Sequence, residues 1–76
     1  VKDKGELLTQ KILTPREKQV FSLLIENYST KEIAEKMHIS DKTVRNHISN
    51  VMLKLGVKGR AQAVVELLRN EELHLQ

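Results

Sequence analysis

Four segments of the chain repeat apolar residues at helical spacing, with polar or turn-forming residues between them. In the first, Val20, Phe21, Leu24 and Tyr28 share one face of a 3.6-residue period. Thr14 is a suitable N-cap, Pro15 fits the first helical position, and Glu17 completes a T-x-x-E capping box. These signals predict a helix that begins at residue 15 and ends near Asn27. Ser29 repeats the box with Glu32, ahead of Ile33, Ala34 and Met37, which predicts a two-turn helix over 30–37. His38 and Ile39 make a turn. His tolerates positive φ better than most residues, and Ile39 is expected to point inward.

Ser40 caps a third helix, expected from Asp41 to about Leu55. Val44, Ile48, Val51 and Leu55 recur at +4, +3 and +4 and define its buried stripe. Gly56 ends it as a left-handed cap, and Lys54 complements the dipole of its last turn. The fourth helix is predicted from Arg60 to Asn70. On it Ala63, Val64 and Leu67 form one apolar surface, and Ala61, Val65 and Leu68 form an adjacent one. At about 100° per residue the two span roughly 200°. That arc is wider than a one-sided helix needs, so either the helix is deeply buried in the monomer or its second surface meets another copy of the chain, and a chain of four short helices favours the second. No segment alternates as a strand would. The expectation is an all-α, four-helix domain over 13–76, preceded by a flexible polar arm over 1–12. The tail from Glu71 to Gln76, with Leu73 and Leu75, would extend or cap the last helix.

Length and composition narrow the functional classes. Seventy-six residues make one domain at most, with a simple core. There is no Cys, hence no disulfide framework and no thiolate metal site, which fits a reducing compartment. No apolar run approaches the roughly 20 residues of a membrane span, and the first residues lack the basic-then-apolar pattern of a leader. A cytoplasmic protein with no membrane association is expected. His38, His47 and His74 are too scattered for a metal site. No carboxylate pair, nucleophile–base pair or Gly-rich phosphate loop is visible. Neither enzymatic activity, nor a cofactor, nor a small-molecule ligand is expected.

Net charge is a mild +3, but it is unevenly placed. Residues 29–60 carry seven basic and three acidic residues, a net +4, and the rest of the chain sums to −1. A basic middle section is the footprint of a nucleic-acid binder, although an ordinary solvated surface is an equal reading of charge alone. The arrangement of helices tips the balance. A short helix, a tight turn and a longer capped helix make a helix-turn-helix candidate. Lys42, Arg45, Asn46 and Ser49 point away from the third helix's buried stripe, within an arc of about 100°. Arg suits guanine O6 and N7, Asn suits adenine N6 and N7, and Ser bonds to either a base or a phosphate. Lys42 is a phosphate contact by charge. Ser29, Thr30 and Lys31 cluster at a helix N-terminus, where free amides favour anions. Ser29 is a cap there as well. Lys58 and Arg60 could extend the phosphate track, with pairing to a carboxylate such as Glu17 an equal role for Arg60. His47, at the edge of the face, has a phosphate or packing role, and Asn50 joins the phosphate set. Leu53 faces the same side and does not fit it; it lies beyond the groove or touches a neighbouring element.

The motifs "LTPRE", "KEIA", "TVRNHI" and "KLGV", followed by Arg60, resemble the LuxR/NarL-type helix-turn-helix family in order and spacing over residues 13–70. "KTVRNHISN", "KLGVKGR" and "QAVVELLR" are most similar to the family's small regulators of late spore-coat genes. The resemblance implies a dimeric transcription regulator, activator and repressor, on double-stranded DNA, with RNA polymerase as a further partner. It implies base contacts at Arg45, Asn46 and Ser49. Phosphate contacts are implied at the second helix's start and at Lys42, Thr43, Lys54 and Lys58. Dimerisation is implied through the last helix, at Ala61, Val65 and Leu68. Most family members carry a ligand-binding or phosphoacceptor domain, for which residues 1–12 are too short, so a module working alone is expected. The rival readings are the output domain of a larger response regulator and a helical protein-interaction module. His38 and Leu53 depart from the family pattern, which often has Gly at the first position and a polar residue at the second.

Overall fold

A computed structural model describes residues 13–70 as four helices: α1 (Pro15–Ile25), α2 (Thr30–Met37), α3 (Asp41–Leu55) and α4 (Arg60–Arg69). Among the described residues there is no strand. The arm over 1–12 and the tail over 71–76, with Leu73, His74 and Leu75, lie outside the described residues.

The starts of α1, α2 and α3 are set by side-chain caps. Thr14 and Ser29 each close a full capping box, with Glu17 and Glu32 reaching back to the cap amides. The Ser40 hydroxyl accepts from the Thr43 amide at 3.0 Å. α4 begins at Gly59 without a side-chain cap bond.

The first three helices end in one way. Asn27, His38 and Gly56 take left-handed conformations, with φ of 75°, 59° and 70°. After α1, the Tyr28 amide bonds to the Leu23 carbonyl and the Asn27 amide to Leu24. After α2, Ile39 bonds to Ala34 and His38 to Glu35. After α3, Val57 bonds to Met52 and Gly56 to Leu53. Each is a paired closure that satisfies carbonyls otherwise left open at a helix end. The residue after each left-handed position, Tyr28, Ile39 or Val57, then packs against the core. α1 therefore stops two residues before the predicted Asn27, because Asn27 itself supplies the left-handed turn. Only one of the three positions is a glycine.

The core is one cluster. Val20 and Phe21 from α1, Ile33 from α2, Val44 and Val51 from α3, and Ala63 and Leu67 from α4 are fully buried. Leu55 and Ile39 are half-buried against it. α3 packs on each of the other three helices, so the helix that carries the exposed Lys42, Arg45, Asn46 and Ser49 is also the structural hub. At the α1–α2 corner the Lys36 ammonium lies 4.7 Å from the Tyr28 ring centroid, a cation–π contact.

Candidate nucleic-acid interface

α2, the His38–Ile39 turn and α3 form the helix-turn-helix. Ile33 and Ala34 seat α2 on α3, and the small Ala34 allows close approach. Val44 and Ile48 fix α3 from its inner side, with exposures of 0% and 2%. The opposite side is open. Lys42, Arg45, Asn46, Ser49, Asn50 and Lys54 are exposed, and Thr43 and His47 are half-buried. The fold thus brings Lys42, Arg45, Asn46 and Ser49 onto one outward surface of a single rigid helix. Leu53 shares that surface at 80% exposure, so little of it is covered by the described residues.

Around this surface the other proposed contacts are distributed unevenly. Ser29 Oγ accepts from the Glu32 amide at 3.1 Å, so it caps α2. Lys31 is exposed and Thr30 half-buried at the same helix start. Thr43 Oγ1 lies 2.8 Å from Ser40 Oγ. Lys58 is exposed, with its backbone amide held 3.2 Å from Gln62 Oε1. Arg60 is exposed at the start of α4, and Glu17, the carboxylate named for one of its two equal roles, takes Lys54 instead.

Glu17 is the buried charge beneath this face, at 4% exposure. Its Oε1 accepts from Lys54 Nζ at 2.6 Å and from the Thr14 amide at 3.0 Å. Burial pushes its pKa up. The Lys54 hydrogen bond, the Thr14 amide, and the charges of Lys54 and His47 together outweigh burial and hold it below the usual glutamate range. Lys54 therefore has a structural duty whatever else it touches.

Arg45 also has a partner in the free protein. Its Nη1 lies 2.7 Å from Asp41 Oδ2, one turn earlier on α3. Asp41 is not among the residues that the sequence pattern singles out for the DNA-facing surface. The signal that reveals it is the Asp-to-Arg spacing of four on a helix.

A second surface lies on α4. Ala63 and Leu67 are buried, and Val64 and Leu68 are half-buried against the core. Ala61 and Val65 remain exposed, and with Val57, Gln62 and Glu66 they line a shallow depression. Among the described residues no group of three His, Cys, Asp or Glu could hold a metal ion, and no helix is long and apolar enough to cross a membrane.

Comparison with known proteins agrees with this architecture. The family described as "Bacterial regulatory proteins, luxR family" matches residues 11–67. The spore germination protein GerE of Bacillus subtilis (strain 168) is 63% identical over 70 residues, covering 92% of this chain and 95% of that protein. The transcriptional regulatory protein DegU of Brevibacillus brevis is 49% identical over 59 residues, and the chain spans only 25% of its length. The response regulator protein VraR of Staphylococcus saprophyticus is 43% identical over 65 residues, with 30% of its length spanned. A solved structure of the transcription factor GerE superposes with a TM-score of 0.85 at 57% identity, covering 87% of this chain and 98% of that one.

Proposed function

Since the chain belongs to the luxR family of bacterial regulatory proteins and is a DNA-binding transcription regulator of that family, we propose that it acts as a homodimer whose α3 helices read adjacent major grooves. The observation that carries this reading is the division of α3. Val44 and Ile48 are buried on one side, while Lys42, Arg45, Asn46 and Ser49 are exposed together on the other. A polar outer strip is ordinary for a surface helix; what supports this reading is that the strip holds Arg, Asn and Ser, which suit base edges, on the second helix of a helix-turn-helix.

In this reading Arg45, Asn46 and Ser49 contact base edges. Lys42, Thr43, His47, Asn50, Lys54 and Lys58 contact phosphates, with Ser29, Thr30 and Lys31 gripping the backbone at the start of α2. Lys54 makes its phosphate contact while bonded to Glu17, which fixes its ammonium at the helix edge. Ala61, Val65 and Leu68 form the dimer seam, and the two recognition helices sit about 34–36 Å apart, one turn of the duplex. The targets are promoters of late sporulation and spore-coat genes, activated or repressed by where the dimer sits relative to RNA polymerase. The 63% identity to the spore germination protein GerE supports that assignment. The protein then works at the nucleoid, in the mother-cell cytoplasm of a sporulating bacterium, without a small-molecule ligand.

The test is a gel shift on spore-coat promoter fragments against shuffled duplexes of equal composition, at several salt concentrations. A salt-dependent shift that favours the promoter fragments is the expected result. Absence of any shift would move the assignment to a protein-interaction module. Equal binding to both duplexes would remove base reading by α3.

A further inference from the structure

The pair between Asp41 and Arg45 is out of place if α3 is only a phosphate-binding helix. An acid at the groove-entering end of α3, half-buried beside the exposed strip, opposes nearby phosphates, and an exposed ion pair of this kind adds little to stability. Its position suggests a different use. Asp41 is the first residue of α3, and Arg45 reaches back one turn to it with Nη1 2.7 Å from Oδ2. The guanidinium is thereby held against Asp41, whose backbone position lies about 6 Å nearer the helix N-terminus than that of Arg45, at the end that enters the groove in helix-turn-helix proteins. The other carboxylate oxygen, Oδ1, is enclosed by protein and has no hydrogen-bond partner among the described residues. The Asp41 side chain as a whole is 45% exposed, so the carboxylate is fixed only along its covered Oδ1 edge and by the Arg45 contact on Oδ2.

We propose that Asp41 is a positioning residue for base recognition: it holds the Arg45 guanidinium at the groove-entering end of α3 and keeps it off the phosphates. The proposal rests on the reading of α3 given above. Guanidinium carries five N–H donors. One serves Asp41, which leaves enough to bridge O6 and N7 of a guanine. An arginine released from Asp41 would have the reach and the charge to take a phosphate instead. It would then add affinity for every sequence and lose discrimination. Asp41 thus raises the ratio of specific to random binding without needing to touch DNA.

The experiment uses the full chain and two probes: duplexes enriched by the wild-type protein from a randomised 30-base-pair pool, and shuffled duplexes of the same composition. Affinity for each is measured by fluorescence anisotropy across a salt series. In Asp41→Ala, random binding should strengthen. The salt slope on random DNA should steepen by roughly 0.9, the value of one added phosphate contact. The specific-to-random ratio should fall by about fivefold or more, the low end of what a bidentate contact supplies. Asp41→Asn keeps an acceptor and should recover part of the ratio. In an Arg45→Ala background the Asp41 substitution should leave the ratio unchanged. If both affinities rise by the same factor, Asp41 is only a general negative charge and the proposal is overturned. If the ratio falls equally without Arg45, Asp41 touches a base directly and the proposal is again overturned. A wild-type protein that enriches no sequence would end base reading by α3, and this inference with it. That outcome is distinguishable because it shows before any substitution is made.

Discussion

Lys54 and Glu17 stand 37 residues apart in the chain and 2.6 Å apart in space. The contact ties the start of α1 to the end of α3, and one carboxylate serves both the α1 cap and the α3 ammonium. Glu17 is almost fully enclosed, and Lys54 is partly open, at 37% side-chain exposure. Removing the lysine should therefore cost more than a surface pair would, because it strands a buried carboxylate. We expect Lys54→Met to lower unfolding stability by about 2–3 kcal/mol, below the full range for a buried pair because water reaches Lys54. Urea denaturation at neutral pH measures it.

The sign of the pH dependence follows from the same pair. The pKa of Glu17 is lowered in the folded protein. Its contribution is then complete above the unfolded glutamate pKa of about 4.3. It is lost as pH falls below that value and through the lowered folded pKa. Without Lys54, burial loses its strongest opponent, and that acid sensitivity should weaken. The stability gap between wild type and Lys54→Met should narrow when denaturation is repeated between neutral pH and about pH 3. A gap constant across that range would mean the pair does not titrate with folding.

The left-handed positions give a test of backbone strain alone. A side chain added at Gly56 would meet nothing within 4 Å, while φ there is +70°. Gly56→Ala should thus cost about 1 kcal/mol from backbone conformation, with no steric contribution. His38 already bears that strain at φ 59°. His38→Gly should leave stability unchanged or raise it by up to about 1 kcal/mol, the relieved strain offset by unfolded-chain entropy. Thermal unfolding of both variants decides the point. A strong loss in His38→Gly would show that the imidazole makes a contact of its own.

The base and phosphate roles separate by salt. Arg45→Ala should cost about 1–3 kcal/mol on a cognate site and relax preference at one base pair. Lys42→Ala should weaken all sequences alike and reduce the salt slope by about 0.9. Equal loss on random DNA would make Arg45 a phosphate contact. An unchanged slope would remove Lys42 from the phosphate set.

The helices were legible because their signals are local. The capping boxes at Thr14 and Ser29, the +4, +3, +4 stripe of α3 and Gly56 all act within one or two turns. The early end of α1 was not legible. Asn27 sits in ordinary polar sequence, and only the packed Tyr28 after it shows that the chain has reversed. The Glu17 partner was also hidden. Arg60 and Lys54 are both basic and both distant in sequence, and only the three-dimensional packing of α1 on α3 chooses between them. Asp41 was visible in spacing but masked by its second meaning as a favourable first-turn acid.

The α4 surface yields the last prediction. Val65 is half exposed, at 51%, beside a shallow depression formed with Val57, Ala61, Gln62 and Glu66. Its side chain is not among those packed in or against the core cluster, which α4 enters through Ala63 and Leu67 on the other side of the helix. In a two-fold dimer the same patch faces itself, so a charge placed there meets its own copy. Val65→Glu would set two carboxylates against each other in an apolar seam and should shift the protein to monomer in sedimentation velocity. Helical content by circular dichroism should be unchanged. Binding to a full palindromic site should fall toward that of a single half-site, because the second recognition helix is no longer held in place by the first. A Val65→Glu protein that remains dimeric would place the interface elsewhere on the chain.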